Sequence, residues 1–201
     1  MNQSQTAVNN RDYDRAIATA SEAMRLDPQS PHAFFYRGNA YMSKQEMDRA
    51  IADYNEAIRI DPKVAASFSN RGFAYAIKGD LDRAIADFNE AIRLDPKDAT
   101  YFNKRGNAYS QKGYTDRAIA DYNEAIRLDP NLAMAFGNRG LVYENKGDNS
   151  RALADFNEAI KLNPRDAVSF CNRGRLKLRI KQSSGNADIA KARELNPSIC
   201  R

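Results

Sequence analysis

The chain has 201 residues, enough for one domain with a sizeable core or for an array of small units. Hydrophobic residues make up 42% and charged residues 28%, and no run approaches the roughly 18 apolar residues of a membrane span. The net charge of +5 sits at one end: residues 165–201 hold nine Lys/Arg and three acids, while the first 164 residues are nearly balanced.

The N-terminal stretch MNQSQTAVNN has neither a basic nor an apolar segment, so no signal peptide is expected and the cytoplasm is the default compartment. DRAIATASEAMRLDP at 14–28 predicts a helix over about 13–26, whose partner helix would have to come from that short, polar N-terminus. The same fifteen-residue stretch returns as DRAIADYNEAIRIDP at 48–62, DRAIADFNEAIRLDP at 82–96, DRAIADYNEAIRLDP at 116–130 and SRALADFNEAIKLNP at 150–164. Prolines 28, 62, 96, 130 and 164 are each 34 residues apart, a period that signals stacked supersecondary units.

Within a unit the pattern divides in two. After Pro62, Phe68, Gly72 and Tyr75 recur at helical spacing, and Lys78-Gly79-Asp80 then stops one helix and caps the next. The second helix is expected over 81–94, with Ala84, Ile85, Phe88, Ala91 and Ile92 on one face, and Pro96 ends it. Toward the C-terminus the register loosens. Lys177 stands where the other units have tyrosine, the turn becomes Gln182-Ser183-Ser184-Gly185-Asn186, and the last helix shrinks to roughly 187–195. Cys171 and Cys200 have no framework spacing and are read as free thiols.

Thirteen of the nineteen aromatic residues keep the 34-residue register. Phe34, Phe68, Phe102, Phe136 and Phe170 form one set, Tyr41, Tyr75, Tyr109 and Tyr143 a second, and Tyr54, Phe88, Tyr122 and Phe156 a third. Small residues are fixed too, at Gly38/72/106/140/174, Ala50/84/118/152 and Ala57/91/125/159. Rings opposite glycine and alanine let helices approach closely.

This Phe…Gly…Tyr…Ala…Tyr/Phe…Ala…Pro series resembles the tetratricopeptide repeat over about residues 11–197. The resemblance implies an all-α fold: an α-solenoid, a right-handed superhelix of antiparallel helix pairs with a 34-residue repeat. It would form one array over 1–197, with a half repeat at 11–30, full repeats at 31–64, 65–98, 99–132 and 133–166, an atypical repeat at 167–197 and a tail at 198–201. One helix pair cannot bury its own apolar face, so like neighbours bury it for each other. The terminal repeat lacks a further capping helix, which leaves an apolar flank.

Against the family pattern, Arg37, Arg71, Arg105, Arg139 and Arg173 replace a leucine-like residue. Asp53, Asp87, Asp121 and Asp155, with Asp188 after the deletion, occupy a place often aromatic. Two apolar positions changed together imply charge-assisted Arg–Asp pairs across a helix contact.

In such solenoids the first helices line the concave face, where a peptide or protein segment binds. Positions there vary between units. Phe35 and Phe73, with Tyr36 and Met42 nearby, are expected to form an apolar pocket. Asn39, Asn70, Asn103, Asn107, Asn138 and Asn172 offer amides that can hold a peptide backbone, and Lys104 and Arg175 add charge to that face. Asn39, Asn70 and Lys104 match three of the five positions of the family's carboxylate clamp. Phe35 and Thr100 stand where it needs lysine, so chaperone-tail binding is not expected.

The sequence holds a single histidine and no glycine-rich phosphate loop, metal-ligand spacing or nucleophile elbow. The expectation is a non-catalytic scaffold without cofactor or metal. Its partner would be a protein or an extended peptide, and it would not insert into membranes. Self-association through the uncapped end is the alternative. Nucleic-acid binding through RGRLKLRIK at 173–181 is disfavoured, because its five basic residues spread around the helix and stacking aromatics are missing there.

Overall fold

The computed structural model describes residues 12–200, so the partner helix sought in MNQSQTAVNN lies outside the described residues. Among the described residues there are eleven α-helices and no strand. They are α1 (Tyr13–Leu26), α2 (Pro31–Ser43), α3 (Met47–Ile60), α4 (Ala65–Ile77), α5 (Leu81–Leu94), α6 (Ala99–Gln111), α7 (Thr115–Leu128), α8 (Ala133–Asn145), α9 (Asn149–Leu162), α10 (Ala167–Arg179) and α11 (Gly185–Leu195). The chain divides into two compact units, one ending at Lys97 and the other beginning at Asp98.

Each unit is a row of helix pairs of the solenoid type. In the first, α2 packs on α3 and α4 on α5, while α1 covers α2 and α3 meets α4. In the second, α6 pairs with α7, α8 with α9 and α10 with α11. The turns follow from the sequence. Gly79, Gly113 and Gly147 take φ near +80°, where glycine meets no Cβ penalty. Asp80 and Asp148 then cap the next helices by accepting from Arg83 N and Arg151 N.

Tyr54, Phe88, Tyr122 and Phe156 are almost wholly buried, and each lies on a glycine of the partner helix. A Cβ on Gly38, Gly106 or Gly140 would stand 2.8 Å from such a ring. In the last pair Ile189 replaces the ring, and Gly174 meets the backbone of Gly185 instead. That contact carries α11 back to Gly185, two residues before the expected start near 187.

The arginines tie the pairs together. Nε and Nη2 of Arg37, Arg71, Arg105, Arg139 and Arg173 donate to both carboxylate oxygens of Asp53, Asp87, Asp121, Asp155 and Asp188, at 2.5–2.9 Å. Each guanidinium also lies 5.5–5.9 Å from the ring of Phe34, Phe68, Phe102, Phe136 or Phe170. The remaining nitrogen reaches the preceding pair: Arg71 Nη1 donates to Asn55, Arg139 to Asn123 and Arg173 to Asn157. One side chain thus joins three helices. On the surface Lys44 pairs with Asp14, Lys78 with Asp48 and Lys146 with Asp116, again linking successive repeats. Burial would raise the pKa of Asp188, but Arg173 and Lys177 outweigh it and hold the carboxyl below the usual aspartate range.

The cysteines correct the sequence reading. Cys171 and Cys200 are not free thiols but a disulfide, with Cα atoms 5.8 Å apart. After α11 the chain turns back at Pro197, so that Ile199 and Cys200 pack with Phe170, Cys171, Ile189 and Ala192. Arg193 Nη2 donates to the Cys200 carbonyl at 2.9 Å. The tail therefore covers part of the flank expected to stay open, although Leu178 remains 40% exposed.

Candidate functional site

In the second unit, one face of α6, α8 and α10 encloses a groove of about 460 Å³. Asn103 and Asn107 come from α6, Met134, Gly137, Asn138 and Leu141 from α8, and Val168 and Asn172 from α10; Asn163 and Asp166 close its edge from the turn before α10. Spacings of three and four residues put each set on one side of its helix. Asn138 Nδ2 donates to Asn103 Oδ1 at 3.1 Å, and Asn107 Oδ1 accepts from Tyr122 Oη at 2.7 Å. These bonds use part of the capacity of each amide and fix its orientation, while an amide has two N–H donors and two acceptor lone pairs in all. Met134 and Val168 stand 61% and 52% exposed beside them.

The first unit differs. A cavity of about 550 Å³ there is lined by Met42, Ser43, Gln45, Met47, Phe73 and Ile77 and is mainly apolar. Phe73 and Met42 both line it, and Phe35 does not. Phe35 sits seven residues before Met42 on α2, about 10 Å along the axis, and its ring packs 5.6 Å from Tyr36 and 6.1 Å from Tyr54. Asn39 Oδ1 accepts from both Tyr54 Oη, at 2.7 Å, and Asn70 Nδ2, at 2.9 Å. Burial pushes the Tyr54 phenol well above its ordinary pKa, which keeps that donor protonated.

Asn39 and Asn70 therefore belong to the first unit, and Asn103, Asn107, Asn138 and Asn172 gather in the second. Lys104 lies on α6, where burial draws its ammonium below the ordinary lysine pKa against the opposing pull of Asp98. Arg175 is exposed on α10. Of the other basic residues on α10, Arg173 and Lys177 are held by Asp188, and Arg179 pairs with Glu144. Sequence reasoning missed Asn163 and Asp166, because they belong to the turn and not to the helix positions searched. It also missed Gln45 and Met47, which the turn after α2 brings beside Met42. Among the described residues no group of three or more His, Cys, Asp or Glu could hold a metal ion, and no helix is long and apolar enough to cross a membrane.

Family models described as tetratricopeptide repeat match residues 1–65 and 133–166, and one described as TPR repeat matches 74–113 and 106–147. No curated protein sequence matches the chain. Among solved structures, MamA is 26% identical with a TM-score of 0.72, covering 83% of this chain and 98% of its own. YrrB, described as a TPR protein with an unusual peptide-binding site, is 22% identical with a TM-score of 0.66, covering 90% and 93%. PilW, a widely conserved type IV pilus biogenesis factor, is 18% identical with a TM-score of 0.87, covering 97% and 91%. With the helix pairs, the ring-on-glycine contacts and these matches in agreement, the chain belongs to the tetratricopeptide repeat family.

Proposed function

We propose that the chain is a non-catalytic interaction scaffold that holds an extended peptide, or an extended segment of a protein, against its first helices. The principal seat is the groove of α6, α8 and α10. One observation carries the reading: asparagines from three successive repeats surround a single groove of about 460 Å³, within the ~300–1,000 Å³ typical of ligand sites. An extended backbone presents N–H and C=O groups in alternation, and a side-chain amide can meet either. The ion pairs on α10 weigh against nucleic acid as the partner, since Asp188 and Glu144 engage Arg173, Lys177 and Arg179, three of the five basic side chains at 173–181.

Binding of displayed peptides to the intact chain tests this. A hydrogen bond contributes ~0.5–1.5 kcal/mol, so Asn138→Ala/Asn172→Ala is expected to weaken selected peptides about tenfold; it also deprives the buried Asn103 Oδ1 of its donor, so the melting temperature should fall modestly while the helices persist. Asn70→Ala, in the first unit, should leave that affinity as it was. Unchanged binding to the double variant would remove the groove as the seat.

A further inference from the structure

Gly137 stands inside α8 at a place that the repeat register of Gly38, Gly72, Gly106, Gly140 and Gly174 does not account for, as Gly185 does at the first residue of α11. Gly38, Gly72, Gly106, Gly140 and Gly174 each yield to a ring, an Ile side chain or a backbone that a Cβ would strike at 2.8–3.0 Å. A Cβ on Gly137 would meet only the Ser169 hydroxyl at 3.2 Å and Ala159 at 3.9 Å. The buried Ser169 hydroxyl would be crowded at that distance, but no ring or backbone blocks the place as at the register glycines; because glycine weakens a helix interior, a further reason is called for. Its position supplies one. Gly137 lies in the floor of the second-unit groove, at the place where the first repeat carries Phe35. Met134 and Leu141, three residues before it and four after, share its helix face, and Val168 faces it from α10. The missing side chain leaves a notch with apolar walls.

Resting on the groove as a peptide seat, we infer that this notch selects the ligand: it takes one aliphatic side chain, leucine or methionine, over Gly137 from an otherwise extended segment. Met134 and Val168 are the most exposed apolar groups around the groove, and an unbranched or γ-branched chain lying on them removes that surface from water. Charge complementarity narrows the class further. Asp166 is the only charged residue among those lining the groove, and its carboxylate already accepts from Val168 N and the Ser169 hydroxyl. An acidic residue at the anchor would face a fixed negative charge with no cation among the groove-lining residues to meet it. The partner is therefore a neutral or basic segment with an aliphatic anchor, its main chain held by Asn138 and Asn172.

A random peptide library displayed against the full chain provides the test. Selected peptides should share leucine or methionine at one position, and replacing it with glycine or aspartate should weaken binding at least tenfold. Gly137→Leu, which fills the notch, should cost a similar factor. Should circular dichroism show that this variant does not fold, Met134→Asp, at an exposed site, takes its place with the same expected loss. Peptides that weaken with Asn138→Ala/Asn172→Ala, yet tolerate glycine everywhere and ignore both Gly137→Leu and Met134→Asp, would overturn the anchor while leaving the groove in place. Peptides indifferent to the asparagine variant would remove the groove and the anchor together.

Discussion

On their first helices the two units present different walls: Met42, Phe73 and Ile77 line the cavity of one and Asn107, Asn138 and Asn172 the groove of the other, with Phe73 and Asn107 at the same place in the repeat. Beneath those walls the contacts are the same to within tenths of an ångström. Arg71 Nε meets Asp87 at 2.9 Å in the first unit and Arg139 Nε meets Asp155 at 2.9 Å in the second. The Tyr54 ring would lie 2.8 Å from a Cβ at Gly38, as the Phe156 ring would from one at Gly140. Stability is thus vested in side chains pointing between helices, and the positions facing the grooves are released to vary. A repeat protein can change its ligand without changing its fold for this reason.

The most severe way to break that comparison is to remove a carboxylate from each unit. Asp87→Ala and Asp155→Ala leave Arg71 and Arg139 largely buried without their partner, which costs about 3–5 kcal/mol for a buried pair. Equal losses in urea denaturation would show one scaffold used twice, and a difference beyond about 1 kcal/mol would show that the units are held in different ways. Replacing both partners, Arg71→Met with Asp87→Leu, should recover most of the loss, because an apolar pair nearer the original volume carries no desolvated charge.

The next effect is confined to one unit. The Cys171–Cys200 bond spans 29 residues and has no counterpart among the described residues of the first unit. Closing a loop of that size stabilises by about 3.6 kcal/mol. Cys200→Ser should therefore speed hydrogen exchange in α10 and α11, as the tail leaves Ile189 and Phe170, while α2–α5 exchange as before. Unaltered exchange in α10 and α11 would mean that packing of Ile199 alone holds the tail.

The helices were legible because proline, glycine and aspartate mark their ends locally: α1 and α5 fall on 13–26 and 81–94 as read from the sequence. The fifteen-residue repetition is explained more fully by the structure than by periodicity. Asn55, Asn123 and Asn157 look like solvent-facing residues, yet each accepts from an arginine of the following repeat. A sequence pattern shows which residues recur, but not which neighbouring repeat they reach. The groove was half legible. Helix spacing puts Asn138 and Asn172 on the faces that line it, but Asn163 and Asp166 arrive by a turn whose path no period encodes. The disulfide was hidden for the same reason, since it depends on a chain reversal after α11.

The smallest test compares turns. Gln45 follows α2 with φ +63°, where Gly79, Gly113 and Gly147 follow α4, α6 and α8 at +79° to +82°. A residue with a Cβ in that left-handed region is disfavoured by about 1–2 kcal/mol. Glycine removes the clash but gives the unfolded chain more freedom, a loss of roughly 0.5–1 kcal/mol. Gln45→Gly should then stabilise the first unit by about 0.5 kcal/mol, and the converse Gly79→Gln should destabilise it by a like amount. Lys181, also at φ +63° after α10, permits the same exchange in the second unit. If Lys181→Gly gains stability and Gln45→Gly does not, contacts of the Gln45 side chain along the Met42–Met47 cavity are offsetting its strained backbone, and that wall contributes to folding as well as to the groove.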